Sequence, residues 1–233
     1  MPAFVGAVEA AVHLGRTLRW RWLQDVRTEM ELAHEEACWD FRLPVERRRH
    51  QRVLELVCGR RPDLSRLRVL EAGCAAGDFT VLLAEACGDV LAIDVAQRAC
   101  ELTRQALAGR GNVQVDRLDL SSLARVGEFD VVFLLDTLEC LPGRGAMAPA
   151  ICRAVAALKA GGLLALSCCK LPPVLEGRWW TAALGQGAAG TLRLVATCAN
   201  LRLVASETYP LTDTLAPAYP DHLLALWEKA PCP

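Results

Sequence analysis

Short apolar runs typical of β-strands alternate with helical runs from residue 68 onward. The strand-like runs lie at 68–73, 89–95, 112–116, 129–135 and 162–168, and helical patterns occupy 77–87, 96–108 and 146–158. This alternation is typical of a parallel sheet with crossover helices. Two later apolar runs, at 201–209 and 221–229, predict a closing pair of strands. The sequence therefore predicts an α/β fold with a seven-stranded, mostly parallel sheet and helices on both faces.

Composition excludes several classes of protein. The 233 residues carry a net charge of only −1, so there is no strongly basic character to indicate nucleic acid as a partner. The four histidines do not cluster and the eleven cysteines include no C-x-x-C pair, so no metal site is predicted. Most cysteines lie in apolar periodic segments, which favours reduced thiols and a cytoplasmic protein. No apolar run reaches the roughly 20 residues of a membrane span, and no signal peptide is predicted.

Residues 4–36 have the pattern of one or two amphipathic helices, with large apolar residues recurring every four positions at Leu14, Leu18, Trp22, Val26 and Met30. We therefore divide the chain into a helical N-terminal cap, 1–45, and a main domain, 46–233. Nearby arginines leave a membrane-surface helix open as an alternative to a helix docked on the domain. The cap is also where a homodimer or another partner is expected to dock.

The loop within "RVLEAGCAAGDFT", residues 68–80, follows the first strand and opens a helix, where α/β proteins bind nucleotides. A dinucleotide loop requires G-x-G-x-x-G, but counting from Gly73 the second and third glycines are replaced by Ala75 and Asp78. No G-K-[ST] of a Walker loop occurs either. A nicotinamide-dependent reductase is therefore disfavoured.

"LEAGCAAG" resembles the E/D-x-G-x-G-x-G loop of class I S-adenosylmethionine-dependent methyltransferases. Glu71 stands at the acidic position, Gly73 and Gly77 at the outer glycines, and Ala75 in place of the middle glycine. S-adenosylmethionine has no phosphate but carries a sulfonium and an amino-acid group. Small residues allow the backbone to approach it, and an acid interacts with its cationic end. The resemblance implies a Rossmann-like methyltransferase fold and this cofactor.

Further matches follow in order along the chain. The resemblance implies that Asp94, at the tip of the second strand, binds the ribose hydroxyls, and that Asp119 contacts the adenine amino group. It places Leu135 and Asp136 beside the reacting methyl. Two alternatives remain open: Asp94 caps the following helix instead of binding ribose, and Asp116 rather than Asp119 contacts the adenine. The implied cofactor-binding set is Glu71, Ala72, Gly73, Cys74, Ala75, Gly77, Asp94, Val95, Asp119, Leu120 and Leu135.

Within this class the chain resembles the nodulation protein S type of methyltransferase. The similar features are "WDF…VERRRHQRVLEL" before the first strand and "GCAAGDFT" with alanine as the middle residue. The resemblance covers roughly residues 39–200 and leaves 1–38 unmatched. That family is associated with N-methylation of an amino sugar in a chitin-like oligosaccharide, so the resemblance implies a related acceptor.

The predicted catalytic residues are Asp136 and Glu139, which follow the fourth strand and can accept a proton or hydrogen bond from an amine. The alternatives are that Asp136 caps the next helix and that Glu139 faces solvent. Trp39, Phe41, Arg49 and His50 are predicted to shape the acceptor site. The alternative for Trp39 and Phe41 is that they only pack against other side chains. The alternative for Arg49 and His50 is that "ERRRH" forms a helix face exposed to solvent.

The sequence thus predicts an enzyme that transfers a methyl group from S-adenosylmethionine to a small molecule, with an amino group of a sugar-like or natural-product acceptor favoured. Alternatives are a small-molecule O-methyltransferase and a catalytically inactive, methyltransferase-like partner subunit. Positioning of the two reactants contributes about 7–11 kcal/mol to such displacements, and a general base adds a factor of about 10²–10⁴.

Overall fold

The computed structural model describes residues 44–141, 144–170, 187–198, 200–209 and 221–231. These ranges contain five α-helices: α1 (Pro44–Cys58), α2 (Asp78–Ala86), α3 (Gln97–Ala106), α4 (Arg144–Ala157) and α5 (Gly187–Ala196). The predicted N-terminal helices, with Trp39 and Phe41, lie outside the described residues. The boundary predicted between residues 45 and 46 falls in the first turn of α1.

Seven strands form one sheet: β1 (Arg68–Ala72), β2 (Asp89–Asp94), β3 (Val113–Arg117), β4 (Phe129–Leu135), β5 (Leu158–Cys169), β6 (Leu201–Tyr209) and β7 (His222–Lys229). Their order is β3-β2-β1-β4-β5-β7-β6. Strands β1 to β5 are mutually parallel, and β7 is antiparallel to both of its neighbours, β5 and β6. The predicted seven-stranded, mostly parallel sheet and closing strand pair are confirmed.

The central strands of the sheet are buried on both faces, and neighbouring residues along them enter different cores. On β1, Val69 packs with Val53 of α1 and Leu83 of α2. The next residue, Leu70, packs on the other side with Ile151 of α4. This explains why the strands have continuous apolar runs rather than a polar alternation.

The topology brings the ends of several strands to one edge of the sheet. Strands β1, β2, β4 and β5 end there because they are parallel, and β7 begins there because Cys169 of β5 pairs with His222. Ligands of open α/β sheets bind at this carboxyl edge, where the strand order reverses between β1 and β4. Within the described ranges, no helix combines the length and apolarity needed to cross a membrane.

Candidate cofactor and acceptor sites

The loop after β1 is shaped by three residues in the left-handed region. Gly73 has φ +83°, Ala75 has φ +48° and Gly77 has φ +90°. A Cβ on Gly73 would lie 2.7 Å from Thr137 Oγ1, and one on Gly77 would lie 2.9 Å from Thr103 Cα. The two glycines are therefore required by backbone conformation and by protein neighbours. Ala75 adopts its conformation with a Cβ present, at a cost of roughly 1–2 kcal/mol.

The loop is fastened to the helix and strand beside it. The Thr103 hydroxyl donates to the carbonyl of Ala75 (3.0 Å) and lies 3.4 Å from the buried Cys74 Sγ. The backbone N–H of Gly73 donates to Ile93 O of β2 at 2.8 Å. These contacts hold residues 73–77 in place at the carboxyl ends of β1 and β2.

Asp94 ends β2 and is buried, at 8% exposure. Its Oδ2 accepts from the backbone N–H of Ala75 (3.0 Å), and its Oδ1 accepts from that of Ala96 (2.9 Å), the residue that precedes α3. Asp94 thus supports the start of the helix and also joins the loop to the tip of β2. The N-cap residue of α3 is Ala96 rather than Asp94. The two hydrogen bonds of Asp94 do not exclude a cofactor role, because each carboxylate oxygen can accept more than one hydrogen bond.

Glu71 lies inside the sheet beneath this loop. It is 4% exposed, and its Oε2 makes no hydrogen bond. Burial raises the pKa of Glu71 to about 8, and the negative charges of Asp94 and Asp78 act in the same direction. A hydrogen bond with the Thr80 side chain opposes this rise in pKa, but it leaves Oε2 without a partner. A buried carboxyl oxygen without a partner fits a cationic group that approaches from the loop, because a cation would stabilise the carboxylate.

The predicted adenine side is more exposed. Asp119 is exposed, and its Oδ1 accepts from Ser121 N at 2.7 Å, which caps a 3₁₀ turn at 120–122. Leu120 is buried in the core, whereas Val95 is 42% exposed. Asp116 is partly exposed and accepts from the side chain of Gln114 at 2.7 Å. The roles of these residues in binding remain predictions.

On the other side of the loop, α1 contributes a buried cation to the carboxyl edge. The guanidinium of Arg49 has no exposure. Its Nη1 lies 2.7 Å from Asp136 Oδ2 and also donates to Ser167 Oγ, while its Nη2 lies 2.6 Å from Glu46 Oε2. Glu46, Arg49 and His50 are all buried, so the alternative of a solvated face for "ERRRH" is wrong at these three positions. A guanidinium that binds several partners at once holds α1 against β4 and β5.

Asp136 follows β4 with φ +54°, an uncommon conformation for a residue other than glycine. Its Oδ1 accepts from Ser167 Oγ (3.0 Å) and lies 3.4 Å from His222 Nε2. Burial alone would raise the pKa of Asp136, but the Arg49 guanidinium holds this pKa below its usual range. The alternative that Asp136 caps the next helix is wrong, because Thr137 takes the capping position of the following 3₁₀ turn.

Glu139 belongs to the 3₁₀ turn Leu138–Cys140, directly after Asp136 and Thr137. Glu139 is partly exposed, but its Oε1 is shielded from solvent and has no hydrogen-bond partner, so the side chain does not lie wholly in solvent. Burial and the charge of Asp136 raise the pKa of Glu139 well above its usual range. Two carboxyl groups three positions apart therefore have opposite pKa shifts.

His50 differs from its neighbour Arg49 because it packs as an apolar ring. Its ring centroid lies 5.1 Å from that of Phe79 on α2. Burial, and then the positive charge of Arg49, lowers the pKa of His50 to about 3. The ring is therefore neutral at physiological pH. The contribution of Arg49 and His50 to acceptor binding remains a prediction.

Two residues of this cluster were missed by sequence reasoning. Ser167 and His222 are both buried and approach Asp136 from β5 and β7. Each is a polar residue at the end of an apolar strand, which was the available signal. His222 Nε2 also lies 3.5 Å from Cys169 Sγ, a thiol whose pKa is raised by burial. In the described ranges, no three His, Cys, Asp or Glu side chains are arranged to hold a metal ion.

The sheet order, the loop after β1 and the acidic residue at the tip of β2 define a class I methyltransferase fold. A family model described as a methyltransferase domain matches residues 70–164. The chain is thus a methyltransferase-fold protein similar to nodulation protein S. That of Sinorhizobium fredii is 31% identical over 117 residues, which are 50% of this chain and 53% of the relative. This chain therefore spans about half the length of the nodulation protein S relatives it matches.

Comparison of structures extends over more of the chain. The N-methyltransferase NodS from Bradyrhizobium japonicum WM9, in complex with S-adenosyl-L-homocysteine, superposes with a TM-score of 0.69 and 25% identity. The match covers 87% of this chain and 98% of that chain.

A second kind of relative appears in the sequence comparison. The magnesium-protoporphyrin O-methyltransferase of Rhodobacter capsulatus is 36% identical over 78 residues, 33% of this chain and 34% of that enzyme. The expected fold and resemblance are confirmed.

Proposed function

We propose that this protein is an S-adenosylmethionine-dependent methyltransferase that acts on an amino group of a small, sugar-like acceptor. The observation that carries the cofactor assignment is the buried carboxyl of Glu71, whose Oε2 has no hydrogen-bond partner beside the loop 73–77. It suits a cationic ligand without phosphate. The complex of NodS with S-adenosyl-L-homocysteine supports the same assignment. The proposal includes a cytoplasmic location and docking of a partner through residues 1–45.

Three side chains and one backbone segment are assigned to the cofactor. Glu71 stabilises its ammonium group, Asp94 accepts hydrogen bonds from the ribose hydroxyls, and Asp119 binds the adenine amino group. The backbone at 73–77 approaches the methionine part. When bound, S-adenosylmethionine supplies a methyl group on a positively charged sulfonium. The remaining task of the protein is to align an acceptor nitrogen with that methyl and to exclude water.

The acceptor assignment rests on the charges around Asp136. Glu46 and Asp136 are both buried against one cation, Arg49, so this ionised set has an excess of negative charge. An amine, which carries positive charge before it reacts, is favoured by such surroundings. The similarity to NodS, described as an N-methyltransferase, supports the same choice.

O-methylation is the second candidate function. It is favoured by the similarity to the magnesium-protoporphyrin O-methyltransferase of Rhodobacter capsulatus, which reaches 36% identity over the matched segment. A hydroxyl or carboxyl acceptor would have little use for the excess negative charge. A screen of amines against hydroxyl and carboxyl compounds of similar size separates the two candidates.

Calorimetric titration of the full chain tests the cofactor assignment. We expect binding of S-adenosylmethionine and S-adenosylhomocysteine and no binding of NADH. Asp94→Ala should weaken cofactor affinity about 10- to 100-fold, since hydrogen bonds to a charged group contribute about 1.5–3 kcal/mol.

The matched control is Asp89→Ala at the opposite end of β2, where the side chain is 56% exposed. Its affinity should stay within about twofold of the parent chain, since a surface ion pair contributes little. Equal affinity for the parent chain and Asp94→Ala would remove the ribose assignment. Failure of the parent chain to bind either cofactor form would overturn the proposed function.

A further inference from the structure

The two carboxyl groups that follow β4 differ in how many partners they have. Both oxygens of Asp136 are engaged, Oδ2 by Arg49 and Oδ1 by Ser167. Glu139 is partly exposed and its carboxyl accepts a hydrogen bond from the backbone of Cys169, but its Oε1 is shielded from solvent and has no partner. A carboxylate held in a salt bridge is a poor proton acceptor, whereas a shielded carboxyl oxygen without a partner can bind a ligand.

Glu139 also lies close to the cofactor loop through its own turn. Thr137, two residues earlier, donates its hydroxyl to Ala72 O at 2.6 Å. The same hydroxyl is the atom that a Cβ on Gly73 would meet. The turn that carries Glu139 is therefore packed directly on the start of the loop 73–77.

We infer that Glu139 is the catalytic residue that binds and deprotonates an ammonium acceptor, and that Asp136 is a positioning residue fixed by Arg49, Ser167 and His222. This inference rests on the proposed function, because it requires a methyl donor at the loop 73–77. It names the acceptor as a primary amine that arrives in its charged form.

The charged and titratable groups around Glu139 come from three elements. Asp136 approaches from the end of β4, Arg49 from α1, and the thiols of Cys168 and Cys169 from β5. Burial and then Asp136 raise the pKa of Glu139 and so favour its protonated form, while the backbone hydrogen bond from Cys169 and the charge of Arg49 oppose them. A bound ammonium adds the positive charge that favours ionisation of Glu139.

The proton and electron balance is as follows. Glu139 releases its proton to solvent as the ammonium binds, and its carboxylate then takes one proton from the nitrogen. The freed lone pair forms the new C–N bond while the C–S bond breaks and its electron pair stays on sulfur. The product leaves as a secondary ammonium, and Glu139 is again protonated.

The test compares Glu139→Gln with the full parent chain, with glucosamine and de-N-acetylated chitotetraose as acceptors. Glutamine is isosteric with the protonated acid and keeps a carbonyl oxygen, so S-adenosylhomocysteine affinity should stay within about twofold. We expect kcat at pH 7 to fall about 10²- to 10⁴-fold, the usual contribution of a positioned base. The deficit should shrink about tenfold per pH unit as the bound amine loses its proton unaided, whereas the parent kcat stays flat.

Two variants control the result. Glu128→Gln, one residue before β4 and at the opposite edge of the sheet, should behave as the parent chain. Asp136→Asn should lower kcat yet keep the flat pH profile of the parent chain, since Glu139 remains. A steep profile for Asp136→Asn with a flat one for Glu139→Gln would reverse the two roles and overturn the inference.

Failure of the inference is distinguishable from failure of the proposed function. If the parent chain binds S-adenosylhomocysteine but methylates neither amine, the acceptor class is wrong while the cofactor site stands. A loss in Glu139→Gln that is equal at every pH also overturns the role as base. Absence of S-adenosylhomocysteine binding in the parent chain overturns the proposed function itself.

Discussion

The buried carboxyl groups on the two sides of the loop 73–77 have pKa values shifted in opposite directions. On the β1 side, Glu71 faces the negative charges of Asp94 and Asp78, and its pKa is raised to about 8. On the β4 side, Asp136 faces Arg49 and its pKa is held low. Burial disfavours the charge of both groups, and the internal cation beside Asp136 makes the difference. Glu71 therefore needs a positive charge from a ligand, whereas Asp136 already has one in Arg49.

The largest expected effect comes from removal of the internal cation. Arg49→Met should lower the free energy of unfolding by about 3–5 kcal/mol, because Glu46 and Asp136 would then lose the buried guanidinium that pairs with both. Urea denaturation of the chain measures this loss. The control is Arg52→Met, one turn along α1, where the guanidinium is 40% exposed in its pairs with Glu207 and Glu55.

Arg52→Met should cost at most about 1 kcal/mol, as is usual for exposed ion pairs. If the two variants lose similar amounts of stability, Arg49 does not provide the buried charge compensation that distinguishes the β4 side of the loop from the β1 side.

A smaller effect is expected from Glu71, and it depends on pH. The pKa of Glu71 is about 8 in the folded chain against an ordinary value of 4.5, so the folded state retains a proton that the unfolded state has lost. Stability should therefore fall as pH rises from about 4.5 to 8, by up to about 1.4 kcal/mol per pH unit. Glu71→Gln should remove this part of the slope, as measured by urea denaturation without cofactor.

The same variant should bind S-adenosylmethionine more weakly than the parent chain, because the neutral amide cannot ionise opposite a cation. Glu85→Gln, on the exposed side of α2, serves as the control and should leave both the slope and the affinity unchanged. A pH slope in Glu71→Gln as steep as that of the parent chain would falsify the assignment of the raised pKa to this residue.

The smallest expected effect concerns Asp119, the residue assigned to the adenine amino group. Asp119→Asn should weaken S-adenosylmethionine binding by up to about tenfold, since one hydrogen bond contributes about 0.5–1.5 kcal/mol. Asparagine is also a good capping residue, so the 3₁₀ turn should persist. Asp116→Asn is the matched comparison, and a larger loss there than at Asp119 would transfer the assignment to Asp116. Calorimetry gives both values.

Sequence patterns were sufficient for the elements and their order. The run at 129–135 became β4 without a change in its bounds, and the helix predicted at 77–87 is Asp78–Ala86. The strand predicted at 162–168 was too short, because β5 begins at Leu158. The turn residues Lys159–Gly162 interrupt its apolar pattern, yet they continue the strand through a register shift opposite β4.

The candidate site was predictable on one side only. Glu71, Gly73, Gly77 and Asp94 lie close together in the chain or at the ends of adjacent strands, so their spacing carried the information. The alternative of a solvated face for "ERRRH" failed at Glu46, Arg49 and His50, although its polar residues are typical of such a face. Nothing local to α1 reveals that Arg49 meets Asp136.

The sequence by itself determined the alternation of strands and helices, the position of the loop 73–77 and the carboxyl groups at its edge. These follow from short-range periodicity and from the conformations that glycine permits. The tertiary structure alone decided which carboxyl group is paired. Arg49, Asp136 and His222 come from α1, the end of β4 and the start of β7, which meet only when the sheet is assembled. Charge and burial depend on such distant neighbours, and these set the pKa of each acid and hence the chemistry open to it.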